Sequence, residues 1–228
     1  MEPKPLSLKH LVRPPQAGTG APPLLILLHG VGSNEHDLFS MTPYLDARFL
    51  IVSARAPITL MPGSYAWFEI AFTPNGILID PQQAEASRQR LLQFIPEVVA
   101  AYHADPARVY LLGFSQGAIM SASVVLTRPD LIAGAVLMSG RLPREVLAHK
   151  ASDDHLAGMP ILVVHGVADD VLPIQFGREL RDFFTSLPVE LTYHEYPMGH
   201  QVSAESLADV AAWLSARLDD QRARKGDR

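Results

Sequence analysis

The amino-acid sequence predicts an α/β domain with a mostly parallel central sheet and helices on both faces. Apolar runs of strand length alternate along the chain with longer amphipathic stretches of helical length. The run Leu24–Leu28 has no polar residue, as expected for a strand that is covered on both faces. The 228 residues, 48% of them hydrophobic, suffice for one such domain over residues 1–228.

The predicted strands are short runs bounded by turn-forming residues. The first and the last are expected at the edges of the sheet, because the last alternates polar and apolar residues and the first precedes the buried runs. In chain order the predicted strands are Leu6–Val12, Leu24–Leu28, Phe49–Ala54, Val109–Leu112, Gly134–Met138, Ile161–Val164 and Glu190–Tyr196.

Helical patterns fill most of the intervals between these strands. Pro96 is expected to bend or divide the longest helix, because proline removes a backbone donor. Irregular segments are expected at 55–80 and 141–159, and neither is long enough for a separate cap domain. The predicted helices are Pro81–Tyr102, Ile174–Ser186 and Ala204–Leu218, with short ones within 37–45, where Pro43 interrupts the pattern, and at Pro143–His149.

Composition excludes several classes of function. The chain has no cysteine, which excludes a thiol nucleophile, thiolate zinc sites and disulfides. The net charge is −5 and the basic residues are scattered apart from the C-terminal tail, so no nucleic-acid partner is expected. The N-terminus lacks a signal-peptide pattern and no apolar run could span a membrane, so a cytoplasmic location is expected. The sequence does not fix the oligomeric state and is compatible with a homodimer.

The most informative motif is the pentapeptide 113–117, which reads Gly-Phe-Ser-Gln-Gly and fits the pattern G-x-S-x-G. It lies between the predicted strand Val109–Leu112 and an apolar helical run at 118–126. A sharp turn from strand to helix would expose the Ser115 hydroxyl at the end of the sheet, with the glycines leaving room for the neighbouring backbone. The motif therefore predicts Ser115 as a nucleophile.

A serine hydroxyl needs a histidine base and a carboxylate that orients the base. His200 follows the last predicted strand and precedes the last helix, which is the expected place for the base. The acid is expected after the strand Ile161–Val164, where Asp169 and Asp170 are adjacent. Spacing alone leaves the choice between these two carboxylates open, since Asp170 could also cap the following helix.

Acyl transfer also needs backbone donors for the developing oxyanion. One is expected to be the N–H of Gln116, which follows the nucleophile at a helix N-terminus. The other is expected to be the N–H of Val31, because glycines on both sides of it permit a close approach of the backbone. His29 and His165 each precede a glycine at a strand end and are interpreted as structural, hydrogen-bonded beneath the site.

With these motifs together, the chain resembles the phospholipase/carboxylesterase family of α/β-hydrolases, which includes the acyl-protein thioesterases. The resemblance covers nearly the whole chain and keeps the order of the motifs. The oxyanion loop of the family is similar to residues 28–32 of this chain, and its aromatic segment to 67–70. The family's elbow is similar to 113–117, its acid loop to 165–173 and its base to 199–200. The resemblance implies an α/β-hydrolase fold without a large cap, and it assigns the acid to Asp169.

The expected activity is hydrolysis of carboxylic esters, and of thioesters, with short- to medium-chain acyl groups and with neither a metal nor an organic cofactor. Met61, Trp67 and Phe68 are candidates for an acyl pocket, although each would equally suit burial beneath its segment. Alternatives are an enzyme for long acyl chains, such as an acyl-protein thioesterase or lysophospholipase, another hydrolase on the same scaffold, or a non-catalytic ligand-binding protein on the same fold.

Overall fold

The computed structural model describes residues 2–73 and 76–226, and the side chains of 72–78 and 220–226 lie outside that description. The strands of its largest sheet are β1 (His10–Arg13), β2 (Leu24–Leu28), β3 (Leu50–Ala54), β8 (Val109–Phe114), β9 (Gly134–Met138), β10 (Pro160–Gly166) and β11 (Glu190–Tyr196). Their order across the sheet is β1-β3-β2-β8-β9-β10-β11.

Only β1, paired with β3, runs antiparallel within this sheet, so the predicted mostly parallel sheet is confirmed. The α-helices around it are α1 (Pro81–Tyr102), α2 (Gln116–Thr127), α3 (Asp153–Leu156), α4 (Ile174–Thr185) and α5 (Ala204–Gly226). Shorter 3₁₀ helices span Leu38–Tyr44, Pro129–Leu131 and Arg144–His149.

The core lies on both faces of the sheet. Alternate residues of β2 point to opposite faces, as the strand period of two requires. Leu24, Ile26 and Leu28 belong to the core cluster that includes residues of α1, α2 and α4, whereas Leu25 and Leu27 belong to the cluster that includes residues of α5. All five leucine and isoleucine side chains of β2 are fully buried, which explains why this strand needs no polar residue.

Several local expectations differ from the structure. Pro96 does not divide α1, which is a single helix through this residue, and α5 extends to Gly226, beyond the expected end at Leu218. The segment expected to be irregular, 55–80, contains two antiparallel hairpins. One pairs β4 (Ile58–Met61) with β5 (Ser64–Ala66), and the other pairs β6 (Ile70–Thr73) with β7 (Gly76–Ile79).

The strand order indicates where a ligand-binding crevice should lie. The chain passes from β2 to β3 on one side, and β8 pairs with β2 on the other side. In open α/β sheets, ligands bind at the carboxyl ends of the strands where the order reverses in this way. The loop after β2 and the turn after β8 lie at that point, and they contain the predicted oxyanion loop and the predicted nucleophile.

Candidate active site

Ser115 adopts strained backbone geometry at the turn between β8 and α2. Its φ is 54° and its ψ is −118°, which a serine adopts only when the surrounding structure enforces it. A Cβ at Gly113 would lie 2.2 Å from the Gly117 carbonyl oxygen, and a Cβ at Gly117 would lie 1.8 Å from the Leu28 carbonyl oxygen. Neither flanking position has room for a Cβ, because Gly113 faces the backbone at the start of α2 and Gly117 faces the end of β2.

The three side chains proposed for nucleophile, base and acid lie in one hydrogen-bonded series. The Ser115 Oγ lies 2.9 Å from Nε2 of His200, and Nδ1 of His200 lies 2.7 Å from Oδ2 of Asp169. The ring of Phe114 packs against the imidazole of His200, with centroids 4.9 Å apart. These residues come from three loops at the carboxyl edge of the sheet, after β8, β10 and β11.

Asp169 is held by its own loop. Its Oδ1 accepts hydrogen bonds from the N–H groups of Val171 (3.0 Å) and Leu172 (2.7 Å), which leaves Oδ2 for the imidazole. The Asp169 side chain is fully buried, whereas Asp170 is exposed. His200 is thus bonded to Asp169, the carboxylate that the resemblance assigned, and not to Asp170.

The loop after β2 passes directly beside the serine. A Cβ added at Gly30 would lie 3.2 Å from the Ser115 Cβ, and Gly32 has a φ of +80°. Within residues 2–73 and 76–226, the backbone N–H groups of Val31 and Gln116 donate no hydrogen bond to the protein. They are therefore available to an acceptor near Ser115.

His29 and His165 are both fully buried and hydrogen-bonded. Nδ1 of His29 lies 2.7 Å from the Gly30 carbonyl oxygen, and Nε2 of His165 lies 2.7 Å from that of Leu172. Burial lowers the pKa of both imidazoles, because a charged ring would lose its hydration. Both rings are thus neutral near pH 7 and bonded to active-site loops.

The aromatic segment after β5 contains Trp67, a candidate for the acyl pocket that the structure places in the core. This side chain is fully buried, and its indole N–H donates to the His29 carbonyl (2.9 Å), so it packs beneath the site. Phe68 is also buried and lines a cavity of about 70 Å³, whereas Met61 is 62% exposed on β4. An acyl-binding role for Phe68 and Met61 stays a prediction.

The side chain of Gln116 has a structural role that the sequence analysis missed. Its Oε1 accepts from the backbone N–H of Trp67 (2.9 Å), and its Nε2 donates to the backbone carbonyl of Phe68 (2.6 Å). The available signal was a long polar side chain opening an otherwise apolar helix. This residue thereby ties the start of α2 to the segment after β5.

A groove of about 490 Å³ lies at the same edge of the sheet. Its apolar walls come from Ile79, from Leu142 after β9 and from Phe176 in the first turn of α4. Arg141 and Arg144 also line it, and each forms an ion pair with a glutamate.

In the described part of the chain, no group of three His, Asp or Glu side chains is arranged to hold a metal, and no helix has the length and hydropathy of a membrane span.

Comparison with known proteins identifies similar chains. The model of the phospholipase/carboxylesterase family matches residues 16–218. Acyl-protein thioesterase 1 of Mycosarcoma maydis is 28% identical, over 94% of this chain and 99% of its own length. A probable carboxylesterase SOBER1-like of Arabidopsis thaliana is 27% identical over 85% of this chain and 78% of its own. The crystal structure of a Bacillus cereus carboxylesterase superposes with a TM-score of 0.80 at 25% identity, covering 92% of this chain and 94% of that one.

Proposed function

The chain belongs to the phospholipase/carboxylesterase family, and from that premise we propose that it hydrolyses carboxylic esters and thioesters through an acyl-enzyme on Ser115. One observation carries the proposal. The nucleophile, the base and the acid are joined by hydrogen bonds of 2.9 and 2.7 Å at the end of the sheet, with the serine held in strained geometry. A serine that served only as a turn residue would need neither bond.

In the first step, Ser115 Oγ attacks the carbonyl carbon and transfers its proton to Nε2 of His200. This requires the tautomer of His200 with the proton on Nδ1, which the carboxylate of Asp169 favours by accepting that proton in a hydrogen bond. The two backbone donors to Oδ1 keep Asp169 from rotating and stabilise its negative charge. The imidazolium formed in the attack is therefore stabilised where it appears.

The tetrahedral oxyanion is assigned to the N–H groups of Val31 and Gln116. Both are free of protein acceptors in the described residues, and Gln116 is the first residue of α2, whose dipole favours negative charge at this end. His200 then protonates the leaving alcohol or thiol. The same residue removes a proton from water, which attacks the acyl-enzyme. His200 then returns this proton to Ser115 Oγ as the acyl–Oγ bond breaks and the carboxylic acid leaves.

We propose short- to medium-chain acyl groups as substrates. The groove lined by Ile79, Leu142 and Phe176 offers apolar surface for such a group at the edge of the sheet where Ser115 lies. The similarity to acyl-protein thioesterase 1 over 94% of the chain favours a second candidate, hydrolysis of long-chain thioesters. A panel of acyl chain lengths with one leaving group, each as ester and as thioester, distinguishes the two by the chain length at which kcat/KM is highest.

Replacement of the nucleophile tests the proposed function. Ser115→Ala should fold normally and lose about 10⁴- to 10⁶-fold in kcat on a chromogenic ester. A fluorophosphonate should label the wild-type protein once, at Ser115, as read by peptide mass spectrometry. Retained activity in the variant, or labelling at another residue, contradicts the proposal, as does a wild-type protein that binds acyl esters without multiple turnover.

A further inference from the structure

The Val31 N–H can stabilise an oxyanion only if its peptide plane points the correct way. That plane also contains the Gly30 carbonyl, and in a trans peptide the C=O and N–H vectors are antiparallel. Any group that holds the Gly30 oxygen therefore fixes the direction of the Val31 N–H. We propose that His29 is a positioning residue that aims this N–H at the reacting oxygen by holding the Gly30 carbonyl, an inference that rests on the proposed function.

The hydrogen bonds around His29 determine its tautomer. The N–H of Ala56, which can only donate, lies 3.0 Å from Nε2. Nε2 must therefore carry a lone pair, and in the neutral ring the proton lies on Nδ1. Nδ1 lies 2.7 Å from the Gly30 oxygen, so it donates to this carbonyl. The segment after β3 thus sets the tautomer with which His29 acts on the loop after β2.

His29 is the stronger of two donors to this carbonyl. The other is the Ser33 N–H, at 3.3 Å, which closes the turn 30–33. The shorter bond from Nδ1 resists rotation of the peptide plane more strongly. A hydrogen bond to a carbonyl also polarises the N–H of the same peptide group. His29 consequently affects both the direction and the donor strength of the Val31 N–H.

The imidazole of His29 is held in place beside the Gly30 carbonyl. Its side chain is fully buried, and the indole of Trp67 lies beside it with ring centroids 5.9 Å apart. The Trp67 indole N–H donates to the His29 backbone carbonyl at 2.9 Å, on the other side of the same residue. On the downstream side, Gly30 lies against Ser115. The loop is therefore held on one side by buried rings and limited on the other by the nucleophile.

Two substitutions separate the two hydrogen bonds of His29. In His29→Asn, the amide NH₂ lies near the position of Nδ1 and keeps the bond to Gly30, while the Ala56 N–H loses its acceptor. In His29→Gln, the longer side chain brings its carbonyl oxygen near the position of Nε2 and keeps the Ala56 bond, while the Gly30 carbonyl loses its donor. Both variants remove an aromatic ring, so each is a matched control for the other.

We expect His29→Gln to lower kcat by about 10- to 100-fold with KM changed by less than about twofold, because oxyanion donors act in the transition state. His29→Asn should retain kcat within about threefold of wild type. The affinity for a trifluoromethyl ketone, which forms a tetrahedral adduct with a serine, should fall in parallel with kcat/KM. Urea denaturation should show similar stabilities for the two variants.

The proposal is overturned if both variants lose kcat equally, if Asn is the worse of the two, or if the losses follow stability. Should neither variant fold, ¹⁵N NMR of the imidazoles in the wild-type protein decides the tautomer. The expected result is a His29 ring protonated on Nδ1 near pH 7, and protonation on Nε2 overturns the proposal. A failure of the proposed function is distinguishable, because it would show as an active Ser115→Ala variant whatever the behaviour of position 29.

Discussion

Two loops that flank the nucleophile are stabilised in different ways. In the acid loop, residues 165–173, the Asp169 carboxylate is held by near neighbours, since its Oδ1 accepts from the N–H groups of Val171 and Leu172. The backbone of the same loop also donates to the Tyr196 and Met198 carbonyls after β11. The oxyanion loop, residues 29–34, is held by a distant segment. The Gly32 N–H donates to the Tyr65 carbonyl at 2.9 Å, and the Tyr65 N–H donates to the Ser33 carbonyl at 2.8 Å.

The difference teaches where each loop is vulnerable. Substitutions that affect the acid should act through residues next to it, because the hydrogen bonds from Val171 and Leu172 to Asp169 Oδ1 span only two and three positions. The oxyanion loop should respond to changes far away in sequence, since the segment 65–68 and the Gln116 side chain support it. Substitutions in the acid loop, and then in the support of the oxyanion loop, test this contrast.

The largest effect is expected at the acid. Asp169→Asn should lower kcat by about 10⁴-fold, because the amide no longer favours the productive tautomer of His200. Asp170→Asn, at the adjacent exposed position, is the matched control and should change kcat by less than about twofold. Steady-state kinetics on one chromogenic ester measures both. The reverse ranking would show that the neighbouring carboxylate serves the base.

A smaller effect is expected from the support of the oxyanion loop. Gln116→Met keeps the backbone N–H of residue 116. It leaves the backbone N–H of Trp67 and the carbonyl of Phe68 without their side-chain partners. Unpaired buried groups cost about 1–3 kcal/mol each, and the loosened segment should lower kcat by about tenfold. Chemical denaturation and kinetics on the same samples measure the two effects.

Gln83→Met is the control for this change. Gln83 also accepts a backbone N–H of the same segment, that of Glu69 at 2.7 Å, but in an exposed bond. Water can replace the lost acceptor there, so neither stability nor kcat should change appreciably. If both glutamine variants behaved alike, the buried hydrogen bonds of the Gln116 side chain would have no special role in the support of the oxyanion loop.

The sequence predicted the parts of the fold and site that depend on local patterns. The unbroken apolar run of β2 and the G-x-S-x-G turn each carry their structural meaning within a few residues. The hairpins at 58–79 were missed because their strands are only three or four residues long. The bond between Gln116 and Trp67 spans 49 positions, and no spacing within either segment indicates it.

The burial of Trp67 shows the same limit. Aromatic residues in a segment without a clear period suggested a pocket wall, yet the indole N–H needs an acceptor when buried and finds one at the His29 carbonyl. The choice between Asp169 and Asp170 required either the resemblance or the structure, because two adjacent carboxylates in a loop have identical local chemistry. Their three-dimensional partners distinguish them.

The smallest effect is expected from the indole N–H itself. Trp67→Phe keeps an aromatic ring in the core but removes the donor to the His29 carbonyl, so kcat should fall by only a few-fold and stability by about 1–2 kcal/mol. Because Trp67 is buried, the dependence of kcat/KM on acyl chain length should keep its shape. Measured with a series of esters, a profile that flattened for long acyl chains would instead mean that the Trp67 side chain reaches the substrate during turnover.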